Sequence, residues 1–368
     1  MPDELLFSGI FSRSEREEVF YSFSNADGKR WLMPARHMHT AMQLYQPSGP
    51  KGKLLKMLFP RLHYLTPVQR VLHAERLQLA LRPQLCELLT GLFPGGPLEL
   101  SVFCGTPCVH RKFTLQLSRG KRILGYCKVT GSDEIATLFR KEAALLRELA
   151  ERGMTAAQLP GVLFCGYLDG VPPIFVQSTV KSEHSRVLHD WSDAHDGYLD
   201  RLRDCTKQLL PFEETDYAHT LEELEKHLCW VPELPGKDCL TRAIDRVRAA
   251  YEGREVEFSA YHADFTPWNM FMEGQQLFVF DWEYAQRTYP HGLDRYHFYT
   301  QTATFERRMG AEEILKELPS LPWVERKLYL AYLLDVVSRF TLRERGQVEG
   351  DVARSFGVWL KLIEDLSR

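Results

Sequence analysis

Apolar positions recur at helical spacing between residues 66 and 93 (Val68, Val71, Leu72, Leu77, Leu79, Leu81). This predicts helix up to the breaker Pro94-Gly95-Gly96-Pro97. Beyond the breaker the period drops to two. Leu98–Phe103, Phe113–Leu117 and Ile123–Val129 read as three strands, with a turn over 104–110 between the first two. Ile135, Leu138, Phe139, Ala143, Leu146 and Leu149 restore helical spacing over 134–152, and 162–164 and 174–177 supply two further strands. Three strands, a helix and two strands predict a small antiparallel sheet packed by one helix. From residue 190 onward the pattern is mainly helical, broken by a short strand at Leu277-Phe278-Val279-Phe280. No internal repeat is evident. The expected class is α+β and bilobal, with a sheet-bearing lobe over 96–180 and a helical lobe over 181–368. Residues 1–95 form an extra N-terminal segment, expected as an acceptor or surface docking element.

Composition changes this picture little. The 368 residues are 44% hydrophobic and 26% charged, as in ordinary globular proteins, and the net charge of -3 offers no basic field for nucleic acid. The charge is unevenly placed: residues 1–95 carry 12 Lys/Arg against 8 Asp/Glu. Segment 48–61 is a short basic amphipathic stretch, open to three readings: a solvated helix face, peripheral contact with an anionic lipid surface, or contact with a polyanionic substrate. The eight cysteines form no Cys-x-x-Cys pair, which argues against a zinc knuckle or redox motif and for reduced thiols. The N-terminus lacks signal-peptide order and no run of apolar residues is long enough for a membrane span, so a cytoplasmic protein is expected.

The chemistry concentrates in Tyr261-His262-Ala263-Asp264-Phe265-Thr266-Pro267-Trp268-Asn269, followed by Phe280-Asp281-Trp282-Glu283. Phosphoryl transfer from a magnesium nucleotide needs a group to orient the attacking hydroxyl and hard oxygen ligands for the metal. Asp264 suits the first task, and Asn269 and Asp281 the second. Glu283 supports them or touches a second metal. His262 braces the loop or acts as a base. In the sheet-bearing lobe, strand alternation turns Lys128 away from Cys127 and Val129, toward nucleotide phosphates, with Glu142 on the following helix as its partner. Lys121, Arg122 and Lys141 compete for this role, and Glu134 and Glu148 are alternative partners. Gly105 lies in the turn expected over the phosphates. The connector through Gln177 and Thr179 offers backbone groups to an adenine edge.

At these residues the chain resembles the aminoglycoside phosphotransferase and choline kinase superfamily. The match runs through His262-Ala-Asp264-Phe-Thr-Pro-Trp-Asn269, Val279-Phe-Asp281-Trp-Glu283-Tyr-Ala285 and Gly292-Leu-Asp294, the last two blocks looking closest to choline and ethanolamine kinases. The resemblance spans 98–345. It implies a protein-kinase-like fold, ATP and Mg2+ as cofactors, and phosphorylation of a small-molecule hydroxyl. By position, Asp264 matches the catalytic aspartate, Asn269 and Asp281 the metal ligands, Lys128 with Glu142 the phosphate-holding pair, and Asp294 the acid that braces the fold. The chain departs from the pattern in its single-glycine phosphate turn and its long N-terminal segment. Acceptor candidates are an amino alcohol such as choline or ethanolamine, an aminosugar, or a sugar of a cell-surface glycan precursor. Acidic groups at Glu213, Glu214, Asp216 and at Glu222, Glu223, Glu225 would suit a cation, as would aromatic faces at Tyr296, Phe298, Tyr299, Phe305 and Trp323. The alternative is a catalytically weak nucleotide-binding scaffold acting through its N-terminal segment. A protein kinase fits poorly, because no Asp-Phe-Gly or Ala-Pro-Glu is present.

Overall fold

The computed structural model describes residues 2–12, 17–25, 27–47, 49–107, 111–231 and 237–368. The chain divides into two compact units, one of Met1–Glu151, Thr155–Arg186 and Phe271–Phe278, the other of Arg152–Met154, Val187–Met270 and Val279–Arg368.

The first unit runs α1 (Pro2–Ile10), β1 (Phe11–Ser12), β2 (Glu18–Ser24), β3 (Arg30–Pro34), α2 (Met38–Ala41), α3 (Pro50–Leu62), α4 (Thr66–Val71), β4 (Glu75–Leu81), α5 (Pro83–Leu92), β5 (Glu99–Phe103), β6 (Lys112–Arg119), β7 (Arg122–Thr130), α6 (Asp133–Glu151), β8 (Val162–Leu168) and β9 (Val171–Ser178). Among the described residues these strands form one nine-stranded sheet in the order β1-β4-β2-β3-β5-β6-β7-β9-β8. Each neighbouring pair is antiparallel. The strands and helix expected over 98–178 are present. To them the segment 1–95 adds four strands, joined to β5 by the pairs Trp31↔Phe103 and Leu32↔Val102.

The helix expected across 66–93 is interrupted by β4. Leu77, Leu79 and Leu81 repeat every second residue, and they pack on the sheet core as a strand's inner row. Their spacing is a period of two embedded between helical runs, with Pro83 opening α5 at its first turn.

Alternation along the strands builds two cores. Phe20, Leu32, Val102, Leu115, Leu117, Cys127, Val129, Ile174 and Val176 face one side, under Leu6 and Ile10 of α1 and Leu85 and Leu89 of α5. Tyr21, Phe23, Trp31 and Met33 face the other side, with Met38 and Ala41 of α2 and Phe59 of α3. Helix α6 packs on the far strands, with its Phe139 ring 5.9 Å from that of Phe175.

The second unit contains α7 (Asp193–Thr206), β10 (Gln208–Pro211), α8 (Asp216–Lys226), α9 (Lys237–Tyr251) and β11 (Glu255–Tyr261). Strands β12 (Met270–Glu273) and β13 (Gln276–Val279) form a hairpin whose Phe271–Phe278 part groups with the first unit. Then come β14 (Gln286–Pro290), α10 (Leu293–Gln301), α11 (Ala311–Glu317), α12 (Arg326–Glu344) and α13 (Gly350–Leu366). Helix α12 is buried along Tyr329–Ser338, so it is apolar nearly all round, as a central helix must be. No helix among the described residues is long and apolar enough to cross a membrane.

Residues 1–95 supply Leu6, Ile10, Phe11, Phe20, Leu32, Leu85, Leu89 and Phe93 to the first core. Deleting them bares one face of β5 to β9 and leaves β5 as an open edge. The truncated chain is therefore expected to be insoluble, or to melt without a cooperative transition by calorimetry. A soluble, cooperatively melting product would show that β5–β9 with α6 stand alone.

Candidate active site

Strand β11 ends at Tyr261, and the chain then turns through Ala263 with φ of 69°, the left-handed region that costs an L-residue roughly 1–2 kcal/mol. Two side chains hold the turn, the buried Asp294 and the part-buried Arg339. Asp294, in the first turn of α10, accepts the His262 amide at 2.9 Å and the Ala263 amide at 3.1 Å, one on each oxygen. Arg339 of α12 donates to the Ala263 carbonyl and to Asp335. Tyr261 donates its hydroxyl to the same Asp335 oxygen at 3.0 Å. Burial pushes the Asp294 carboxyl up to about 7, against the two amides and Arg339, which favour the anion.

His262 is fully buried. Its Nε2 donates to the Phe280 carbonyl at 3.1 Å, and its Nδ1 accepts the Asp264 amide at 3.2 Å. That pattern requires the neutral ring, and burial pushes its pKa down to about 4 despite the charges of Asp264 and Asp281. Both ring nitrogens are engaged with backbone, so this histidine is a brace of the loop.

Asp264 projects from the braced turn with its side chain 29% exposed, while its neighbours Ala263 and Phe265 are buried. His297 of α10 meets Oδ1 at 3.2 Å, and the amide nitrogen of Asn269 donates to Oδ2 at 2.7 Å and to the Asp264 carbonyl at 3.0 Å. Burial alone would raise the Asp264 carboxyl; the hydrogen bond and charge of His297, with His262, outweigh it and hold it below the usual range. Burial also lowers the His297 imidazole. At neutral pH the pair is a carboxylate accepting an N–H from a neutral ring. With both hydrogens of the Asn269 amide turned to Asp264, its oxygen is the atom left for a cation.

Phe280 ties the next segment to this loop, its amide donating to the Asn269 carbonyl at 3.0 Å. Asp281 follows with φ of 66°, a second left-handed residue. The buried Trp282 pins it: its indole donates to the Val279 carbonyl at 3.1 Å, and its ring meets that of His262 edge-on at 4.5 Å. Glu283 lies in the turn closed by the Ala285 amide on the Trp282 carbonyl. Asp264, Asn269 and Asp281 thus sit on two segments joined by backbone hydrogen bonds. No group of three or more His, Cys, Asp or Glu side chains is arranged to hold a metal among the described residues. One amide oxygen and one carboxylate fit a hard, hydrated cation such as Mg2+, whose other ligands are phosphate and water, better than an all-protein cage.

In the first unit, Lys128 of β7 places Nζ 2.9 and 3.1 Å from the two oxygens of Glu142 on α6, both residues buried. Gly105 has φ of 71°, and a Cβ there would lie 2.3 Å from the Lys112 carbonyl. The chain's own strand makes that close approach, so the glycine is explained without a ligand. Residues 108–110 of the same turn lie outside the described residues. Gln177 is buried in β9, and its side-chain oxygen has no hydrogen-bond partner among the described residues. The Thr179 amide reaches the Leu124 carbonyl at 3.4 Å, and its hydroxyl accepts the Lys181 amide at 3.2 Å.

No family model matches the chain, and no curated protein matches it by sequence. Solved structures do. A thermostable mutant of aminoglycoside phosphotransferase APH(4)-Ia, in ternary complex with AMP-PNP and hygromycin B, aligns at a TM-score of 0.51 and 15% identity, covering 77% of this chain and 99% of that one. The apo form of a thermostable mutant of the same enzyme aligns at a TM-score of 0.50 and 15% identity, over 76% and 98%. The chain has the aminoglycoside phosphotransferase fold.

Within this kinase-like fold, sequence reasoning missed His297, Asp335 and Arg339. His297 stands one helical turn after Asp294, so the two share a face of α10, and that spacing was the available signal. Asp335 and Arg339, four apart on the buried helix α12, were visible as charges in an apolar run. Nothing local says which backbone group they hold.

Asp294→Asn keeps one acceptor and points an NH2 at the second backbone amide. The substitution is expected to cost about 1–3 kcal/mol of unfolding free energy, read from denaturant midpoints; an unchanged midpoint would remove Asp294 from the clamp. The neutral His262 makes a separate prediction. An unfolded histidine takes up a proton below its ordinary pKa while the folded one does not until about 4, so this contribution to stability falls as pH drops through that window. Relative to His262→Asn, the parent should lose about 3 kcal/mol on acidification from pH ~6.5 to ~4. Parallel stability curves for the two chains would contradict the buried neutral ring.

Proposed function

We propose that the chain is an ATP- and Mg2+-dependent phosphotransferase acting on a hydroxyl of a small molecule. The observation that carries this is the Asp264 carboxylate. It is braced from both oxygens, follows a left-handed residue, and accepts a hydrogen bond from the Asn269 amide, whose oxygen we assign to the metal.

In this reading Asp264 accepts a hydrogen bond from the acceptor hydroxyl and fixes its oxygen for in-line attack on the γ-phosphorus. The new P–O bond forms as the bond to the β-bridging oxygen breaks and ADP leaves. The hydroxyl proton passes to Asp264. A carboxylate with a lowered pKa is a weak base, which suits a loose transition state in which the proton departs late and positioning counts most. Mg2+, held by Asn269 and Asp281, would supply charge neutralisation at the phosphates. Lys128, fixed by Glu142, is assigned to nucleotide phosphates, and the connector at Gln177 and Thr179 to the base. The turn at Gly105 is assigned to the phosphates through its backbone.

For the acceptor, an oxygen-rich sugar or related polyol is favoured over a quaternary amine. The guanidinium of Arg295 already lies 4.9 Å from the Trp191 ring and 4.6 Å from the Trp323 ring, and that of Arg307 lies 5.4 Å from Tyr299. Tyr296 and Phe298 are buried. Three of the six acids have protein partners: Asp216 accepts the Arg287 and Thr288 amides, Glu223 pairs with Lys226, and Glu225 with Arg248. Arg295, hydrogen-bonded to Asp196 at 3.2 Å, is a rigid donor suited to hydroxyl or carboxylate oxygens.

The test is ADP release with Mg-ATP against neutral sugars, sugar acids, aminosugars and amino alcohols. Asp264→Ala is expected to lower acceptor-dependent turnover by roughly 10²–10⁴-fold with nucleotide affinity nearly intact. Asp281→Ala should instead weaken magnesium-dependent nucleotide binding. Tight Mg-ATP binding with no acceptor-dependent ADP from any class would favour the scaffold.

A further inference from the structure

Half of the exposed large apolar side chains among the described residues fall within one short stretch. Leu54, Met57, Leu58, Tyr64 and Leu65 are 52%, 54%, 37%, 65% and 39% exposed, whereas Leu163, Tyr167, Val187, Leu209 and Trp268 are scattered. The first three lie on α3 and the other two just beyond its end.

Successive side chains on a helix turn by about 100°. On that wheel Leu55, Phe59 and Pro60 fall on one side of α3, and Phe59 and Pro60 are buried there. The opposite side reads, in angular order, Lys53, Met57, Arg61, Leu54, Leu58 and Lys51, all exposed. It is an apolar stripe with a lysine along each margin and an arginine within it. The surrounding sequence is basic: residues 28–74 contain eight Lys/Arg and no Asp or Glu. Among the described residues no carboxylate pairs with Lys51, Lys53 or Arg61, and Arg61 instead caps the Met57 carbonyl at 3.3 Å.

We propose that the outer face of α3 docks on an anionic phospholipid bilayer, with Leu54, Met57 and Leu58 entering the headgroup–acyl boundary. An interfacial helix needs an apolar stripe flanked by long cationic side chains that can rise to the phosphates. Lysine margins and an arginine within the stripe place only cations beside the apolar side chains, which matches the negative charge of an anionic lipid surface. Tyr64, at the end of the stripe, is the amphipathic ring favoured at a membrane surface. The helix is already folded and seated on the sheet through Phe59, so docking carries no cost of ordering a peptide.

The experiment is cosedimentation of the full chain, without nucleotide, with phosphatidylcholine vesicles and with the same vesicles doped with phosphatidylglycerol. Binding is expected to be about tenfold or more tighter on the anionic vesicles and to fall as salt rises. The double variant Leu54→Glu with Met57→Glu should abolish it, and Lys51→Glu with Lys53→Glu should weaken it about tenfold or more. Leu163→Glu, an exposed apolar position elsewhere, should leave it unchanged. All three variants replace exposed side chains and should keep the parent's melting temperature. Equal or absent binding to the two vesicle types, or retention by the Leu54/Met57 variant, would overturn the proposal. So would a dimer of the parent chain that the Leu54/Met57 variant dissolves, since a second copy would then cover the face. Because no phosphoryl transfer is measured, the result is independent of the enzymatic proposal.

Discussion

The turn at Ala263 is held from both sides by ionisable side chains: the Asp294 carboxyl on the amides of His262 and Ala263, and the Arg339 guanidinium on the Ala263 carbonyl. A left-handed alanine costs roughly 1–2 kcal/mol, and even an ordinary hydrogen bond returns about 0.5–1.5. Three such bonds therefore outweigh the strain. The arrangement also settles what would otherwise be isolated charges in an apolar core, since each of Asp294, Arg339 and Asp335 is satisfied by the loop or by another member. A buried ion pair adds little net stability over apolar packing, but removing one partner is costly because the other is left unpaired. What these groups hold is the turn that directs the Asp264 side chain.

Strain at Ala263 and at Asp281 has a common function. Left-handed residues at two successive turns aim Asp264 and Asp281 from segments that share the His262 ring and the Phe280 backbone. A neutral His262 suits this junction, since it joins two carbonyl- and amide-bearing strands without adding a third charge beside two carboxylates. His297 does for the side chain what His262 does for the backbone. With Asn269 it occupies one lone pair on each carboxylate oxygen and leaves the others directed outward.

Much of this was legible in the chain because it is local. The spacing from His262 to Asn269, and Asp281 at the end of an apolar strand, needed no tertiary contact to be noticed. Lys128 and Glu142 were readable because a strand's period of two and a helix's 3.6 say which way each points. What stayed hidden is what the fold brings from far away. Arg339 is 76 residues from the carbonyl it binds, and Asp294 is 31 from the Ala263 amide. The strands of residues 1–95 were hidden for another reason. β4 is a single strand between helical segments, and the leucines of its period-two row also satisfy a loose helical count. Only pairing with β2, from Glu18↔Leu79 to Ser22↔Glu75, decides between them.

The same N-terminal strands explain how a sheet can carry a surface device without loss of its core. Tyr21, Phe23, Trp31 and Met33 form a second apolar face that needs a cover, and α2 and α3 provide it with Met38, Ala41 and Phe59. Covering a sheet requires only one side of a helix. A solvent-facing side is free to be as polar as the rest of the surface, and on α6 the apolar positions gather on the packed side with charges such as Arg140, Lys141 and Glu148 outside. Helix α3 departs from that rule, keeping leucine and methionine on its outer side between lysines. Those side chains are among the most exposed large apolar groups of the described residues, and solubility disfavours them. Their presence on a helix whose inner face already suffices for folding marks the outer face as serving contact with something beyond the chain.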